Sequence, residues 1–269
     1  MKQGYLVIAQ NTKDSEGKTI DYVRMAYALA LSIKHTQKGV NNVSVAVINK
    51  EDVPTHYHYV FDEIIELPFE DDAQMADWKI NNKWKYYYMT PYDETVILDT
   101  DMIFPVDVSY WWDIMAQRDV WATTKVRTYR GEIVTSNFYR KYFAANNLPN
   151  VYTAFFYFKK SQLASELFAM IEIIFQHWQR MFFKYMPEGK PDWLSGDVAF
   201  ALAMQILGIE SQCTRENIEE VPTFIHMKSH VQNIPDTQIS EVWTDTLPTY
   251  FNNCKDALYH NKNVICEKP

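Results

Sequence analysis

The sequence predicts an α/β fold, a mostly parallel β-sheet covered by helices. Three observations predict it. Short apolar runs rich in β-branched residues alternate with helix-period segments through the first hundred residues. No internal repeat and no Ser-, Gly- or Pro-rich linker interrupts the 269 residues, so one domain over 1–269 is expected. The run Thr95–Leu98 stops abruptly at Asp99, and in parallel sheets ligands bind beyond such carboxyl ends.

Tyr5–Gln10 (YLVIAQ) reads as a buried first strand, followed by a polar loop at 14–18. Asp21 is placed to cap a helix running to about His35, with Val23, Tyr27, Ala30, Leu31 and Lys34 at helical spacing. Val43–Ile48 is a second strand and Ile64–Leu67 a short third. A helix is expected over Trp78–Thr90, stopped by Pro91. Thr95–Leu98 is the fourth strand. Val120–Thr124 and Val151–Lys159 read as strands, and Ser161–Tyr185 and Ser195–Leu207 as helices. The tail from Ile209 carries only weak signals.

Hydrophobic residues at 47% and charged residues at 22% exclude intrinsic disorder, and aromatics reach 15%. Glycine is scarce, at 7, and neither glycine-rich phosphate-loop pattern occurs. Three cysteines (Cys213, Cys254 and Cys266) without a C-x-x-C argue against a disulfide scaffold or a zinc ribbon. They suit a reducing cytoplasm, which would be the host's were the chain from a bacteriophage. The N-terminal apolar run is too brief for a signal-peptide core, and no apolar stretch of about 18 residues exists to span a membrane. The net charge of −8 is uneven. Residues 1–120 carry 11 basic and 19 acidic side chains, 121–190 carry 10 and 4, and 191–269 carry 5 and 11. The basic middle is either a surface for an anionic partner or a solvated face.

The chemistry concentrates in TVILDTDMIFPVDV. Where the chain stays extended, Asp99 and Asp101 point the same way, roughly 6–7 Å apart. Two hard oxygen ligands on one side can hold Mn²⁺ or Mg²⁺ and leave positions for a diphosphate. With 18 Asp in the chain, roughly one Asp-x-Asp arises by chance, so the apolar flanks carry the weight. A strand-end Asp capping the next helix is the alternative.

TVILDTDMIFPVDVSYWWD resembles the metal-binding strand of the GT-A nucleotide-sugar glycosyltransferases. The nearest likeness is to the glycogenin and lipopolysaccharide galactosyltransferase family. YLVIAQN is similar to that family's first strand, with Ala9, Gln10 and Asn11 at the positions that line the nucleoside pocket. Lys83, sixteen positions before Asp99, matches a lysine that contacts the donor phosphates. VYTAFFYFKKSQL, DWLSGDVAFALA and FIHMKSH match later segments in order, bringing Asp197 near the sugar, His226 to the metal and Lys228 to the phosphates. The family's Asn-Ala-Gly or Asn-Ser-Gly is Tyr152-Thr153-Ala154 here, its acidic pair is reduced to Asp197, and its Lys-Pro-Trp after the metal His is absent.

The resemblance implies a GT-A, Rossmann-like fold and transfer of a sugar from a nucleoside diphosphate donor, with UDP the expected nucleoside. Retention of anomeric configuration is implied with it. Residues 1–108 would form the nucleotide-sugar and metal half, and 109–269 the acceptor half with the C-terminal metal ligand. Asp99, Asp101 and His226 would hold the ion. Asp99, Thr100, Lys83 and Lys228 would meet the donor, and Asp197 and Lys83 would serve catalysis.

Bland alternatives stand beside these roles. His230 competes with His226, which ends the apolar run. Lys83 shares a segment with Lys79 and Lys85 and could lie on a solvated helix face. Asp197 could cap its helix. Trp84, Tyr86, Tyr87 and Tyr88 read as core and cleft wall. The acceptor is expected to be a saccharide or a modified base in DNA. The nucleic-acid option rests on Lys125, Arg127, Arg130, Arg140 and Lys141 with Tyr129, Phe138, Tyr139, Tyr142 and Phe143 between them. A non-catalytic nucleotide- or nucleic-acid-binding α/β protein is the alternative function.

Overall fold

The structure is a computed structural model and describes residues 1–13, 16–17, 19–76, 79–104, 107–124, 140–213 and 259–260. In chain order the elements begin with β1 (Gln3–Ile8), the hairpin strands β2 (Thr12–Lys13) and β3 (Thr19–Ile20), α1 (Tyr22–Thr36), β4 (Val43–Val47) and β5 (Glu63–Glu66). Next come α2 (Tyr86–Met89), β6 (Glu94–Leu98), β7 (Met102–Ile103), α3 (Trp111–Met115), β8 (Val120–Ala122) and α4 (Lys141–Ala145). β9 (Phe155–Lys159), α5 (Gln162–Gln176), α6 (Trp178–Tyr185), α7 (Gly196–Leu207) and β10 (Tyr259–His260) complete the described elements.

The main sheet has six strands in the order β5-β4-β1-β6-β9-β8. β5, β4, β1 and β6 are parallel, and β9 runs antiparallel to both β6 and β8. The α/β fold with a mostly parallel, helix-flanked sheet is thus the one the strand–helix alternation predicts.

Both sheet faces are covered, so the strands read as continuous apolar runs. On one face Tyr5, Val7, Val45, Val96, Leu98 and Tyr157 pack against α1 and α3. On the other, Leu6, Ile97, Phe156 and Phe158 pack against α5 and α7 through Phe168, Ile171 and Phe200. Each such side chain contributes roughly 1.5–3 kcal/mol on full burial.

Helix ends follow the local sequence. Asp21 accepts from the Arg24 amide at 2.9 Å and Asn11 from the Val23 amide at 3.1 Å, so two side chains start α1. Ser161 and Ser195 cap α5 and α7. Gly208, at φ +65°, ends α7 by donating its amide to Gln205 while Ile209 donates to Met204.

Three expected elements differ. The helix over Trp78–Thr90 is a 3₁₀ turn at Lys83–Lys85 and the single turn α2. Its aromatic run has weak helix propensity, and Asn82, Lys83 and Trp84 are drawn to distant partners. The helix over Ser161–Tyr185 breaks at His177, whose ψ of 29° redirects α6 so that Phe182 enters the core. The strand expected from Val151 begins only at Phe155, because Val151–Ala154 serve the site below.

Candidate functional site

The chain leaves β1 toward β4 and β5 on one side, and β6 flanks β1 on the other. The carboxyl ends of β1 and β6 therefore bound the crevice where strand order reverses. Ala9, Gln10 and Asn11 follow β1 there, and Asp99, Thr100 and Asp101 follow β6. β9 starts at the same edge, where the Asp99 amide donates to the Ala154 carbonyl at 3.2 Å. The chain turns at Thr100–Asp101 instead of staying extended as expected. Asp101 and Thr100 are buried, whereas the Asp99 side chain is 27% exposed at the rim.

Five residues distant in sequence meet here. Lys83 places its ammonium 2.7 Å from Asp99 Oδ1 and 3.5 Å from the Thr153 hydroxyl. The Thr153 amide and hydroxyl donate to Asp197 Oδ1 at 2.8 and 2.7 Å. Arg140 meets Asp197 Oδ2 at 2.5 Å and donates to the Val151 carbonyl at 2.6 Å. Its guanidinium lies over the rings of Phe143 and Tyr152. Gly196 opens α7 beside them, and a Cβ there would lie in ordinary contact with Lys83 Cδ and Thr153 Oγ1, both at 3.6 Å.

Burial alone would favour the neutral amine of Lys83, but Asp99, Tyr86 and Asp197 outweigh it and raise its pKa. Lys83 is therefore a standing cation at neutral pH. Tyr86 sits beside it with its hydroxyl bonded to the Ile8 backbone, and burial keeps that phenol protonated.

The first-strand residues are tied into the same edge. Asn82 donates to Gln10 at 2.8 Å and to Asp71 at 2.6 Å, and Gln10 donates to Asp71 at 3.1 Å. Burial pushes the Asp71 carboxyl up, but hydrogen bonds from Asn82, Gln10 and the Ala73 amide, with the Lys79 charge, hold it below the usual value. The lysine segment is not a solvated helix face. Lys85 is fully buried against the Glu70 carbonyl and Asp72, and Lys79 donates to the Ala73 carbonyl. Nor does Asp197 cap α7, because Ser195 does so and leaves the Asp197 carboxylate for Arg140 and Thr153.

Arg140 is likewise withdrawn from the expected basic surface, being only 5% exposed, and Phe143 lies in the core. Lys125, Arg127, Tyr129, Arg130, Phe138 and Tyr139 lie outside the described residues, as do His226, Lys228 and His230. Among the described residues no three His, Cys, Asp or Glu gather as a metal site. Sequence reasoning missed Asp71, the bridging contacts of Thr153 and the true role of Arg140. An Asp opening an apolar helix needs a buried cation, and that requirement was the available signal for Arg140.

Two solved glycosyltransferases are similar to the chain. Mouse xyloside xylosyltransferase 1 in its apo form aligns over 99% of this chain and 100% of its own, at 12% identity and a TM-score of 0.49. The galactosyltransferase LgtC, in complex with donor and acceptor sugar analogues, aligns over 74% of this chain and 70% of its own, at 11% identity and a TM-score of 0.47. No family model and no curated protein matches the chain. Among the described residues, no helix is long and apolar enough to cross a membrane.

Proposed function

We propose that the chain is a glycosyltransferase that moves a sugar from a nucleoside diphosphate donor, with UDP the expected nucleoside, to an acceptor hydroxyl. One observation carries the reading. A standing cation, Lys83, sits on Asp99 at the crevice where strand order reverses, and Thr153 joins that pair to Asp197.

Asp99 and Asp101 suit a hard divalent ion, Mn²⁺ or Mg²⁺. They are two carboxylates at the strand end, and the one at the rim already attracts an ammonium at 2.7 Å. His226 is the proposed third ligand. When bound, such an ion neutralises charge on the departing diphosphate. Lys83 would exchange its carboxylate partner for a donor phosphate oxygen, with Lys228 adding a second charge. Both Asp197 oxygens are engaged, so it acts as a fixed negative charge that orients the sugar and faces positive charge at the anomeric carbon. Ala9, Gln10, Asn11 and Thr100 would line the nucleoside side. Retention of configuration is part of the proposal.

The test is hydrolysis of a panel of nucleotide sugars against a Mn²⁺ titration. Wild type should turn over at least one, and Asp101→Asn should lose that turnover, as should EDTA treatment. Full turnover by Asp101→Asn in EDTA would overturn the metal role. UDP binding without turnover of any donor would leave the non-catalytic nucleotide-binding alternative.

A further inference from the structure

Phe69 has no part in the donor chemistry above, yet it is held in an unusual state. Its φ is +65°, in the left-handed region that bulky side chains avoid, and it is 67% exposed. Its ring stacks on Trp84 with centroids 5.6 Å apart and planes 12° apart, and Tyr88 meets it edge-on at 5.7 Å. Trp84 in turn donates its indole N–H to Asp72 Oδ2 at 2.7 Å. That carboxylate, 3.4 Å from the Lys85 ammonium, is fixed in place while 41% of its side chain stays exposed.

A flat, open ring beside a fixed carboxylate fits a pyranose. The apolar C–H face of the sugar lies on the ring, and its hydroxyls donate to the carboxylate oxygens. Charge separates this from a nucleic-acid platform. From Asp62 to Asp72 the chain carries six acidic and no basic residues; Lys34, Lys2 and Lys85 pair with Asp62, Glu63 and Asp72, and Glu66, Glu70 and Asp71 remain to keep the stretch negative, which disfavours a polyanion. Position ties it to the crevice, because consecutive residues reach Gln10 (Asn82), Asp99 (Lys83) and Phe69 (Trp84).

We propose that Phe69, stacked on Trp84 beside Asp72, is a saccharide-stacking subsite that receives a neutral glycan acceptor. The inference rests on the sugar-transfer reading and names its acceptor class.

The full chain, without donor or metal, is applied to an array of immobilised neutral oligosaccharides, heparin fragments and hydroxymethylated duplex DNA. Wild type should retain at least one neutral oligosaccharide. Retention should fall by about tenfold in Phe69→Ala and in Asp72→Asn. It should be unchanged in Phe183→Ala, whose exposed ring belongs to α6. Phe69→Gly suits the positive φ and removes the ring, so it should melt cooperatively and still lose the glycan. Retention of no neutral oligosaccharide, equal retention by Phe69→Gly, or retention of only heparin or DNA would overturn the subsite. The array uses no turnover, so its failure is separable from failure of the Mn²⁺-dependent hydrolysis.

Discussion

Asp197 and Arg140 show how one buried side chain dictates another. A carboxylate at the start of an apolar helix, 7% exposed, needs compensation, and Arg140 supplies it across 57 residues of sequence. Arg140→Met leaves that charge buried and should cost about 3–5 kcal/mol of stability. Adding Asp197→Asn to it should restore much of the loss, as read by urea denaturation. Ionisation at the other two polar clusters sets the pH behaviour. Lys83 has a raised pKa, so its contribution is complete below the unfolded value of about 10.4 and is lost only as pH climbs through the folded value. It adds no pH dependence near neutrality. Asp71 has a lowered pKa, so its contribution is present above about pH 3.9 and is lost as pH falls through the folded value. Asp71→Asn should flatten the acid limb of melting temperature against pH, while leaving its shape above pH 6 unchanged.

At the level of elements, the central strand shows how tightly the sheet is matched to its neighbours. A Cβ at Gly4 in β1 would fall on the ring of Tyr92, which is buried and bonded through its hydroxyl to Ser44 at 2.7 Å. That ring cannot yield without breaking the bond. Gly4→Ala should cost about 1–3 kcal/mol, measured by chemical denaturation. The segment between β5 and β6 shows the opposite behaviour. Its aromatic run forms only a 3₁₀ turn and one α-turn, because Asn82, Lys83 and Trp84 each reach a partner on a different loop, at Gln10, Asp99 and Asp72. Losing helix there gives the crevice its lysine and the acidic loop its aromatic platform.

For the molecule as a whole, any ligand of the folded state alone raises stability by mass action. UDP with Mn²⁺ at a hundred times its Kd should add about 2.7 kcal/mol, a melting-temperature rise of about 5–10 °C. UDP with EDTA should give much less if the carboxylate pair holds the ion. A rise that is equal with and without metal would separate nucleotide binding from Asp99 and Asp101. Thiol chemistry should stay silent at Cys213. Burial, with Glu210 nearby, pushes that thiol up to about 12, so mass spectrometry after brief alkylation should find it unmodified in the folded chain.

The α/β class, the buried strands, the cap at Asp21 and the helix starts at Ser161 and Ser195 were legible in the sequence because they are local. Apolar period, β-branched runs and capping oxygens act within a few residues of one another. Asp99 was legible for the same reason, as a charge that ends an apolar strand. Apart from the family resemblance, Lys83 was one of three lysines in its segment, and tertiary contacts separate them. Lys85 is locked under Asp72, Lys79 under the Ala73 carbonyl, and Lys83 alone of these meets Asp99. The bridge from Lys83 through Thr153 to Asp197 and Arg140 spans residues 83 to 197, and no sequence period encodes such a meeting. It exists because β9 enters the sheet antiparallel beside β6 and delivers Thr153 to the edge where α7 begins. Sheet order decided that placement, and sheet order is set by the packing of whole elements.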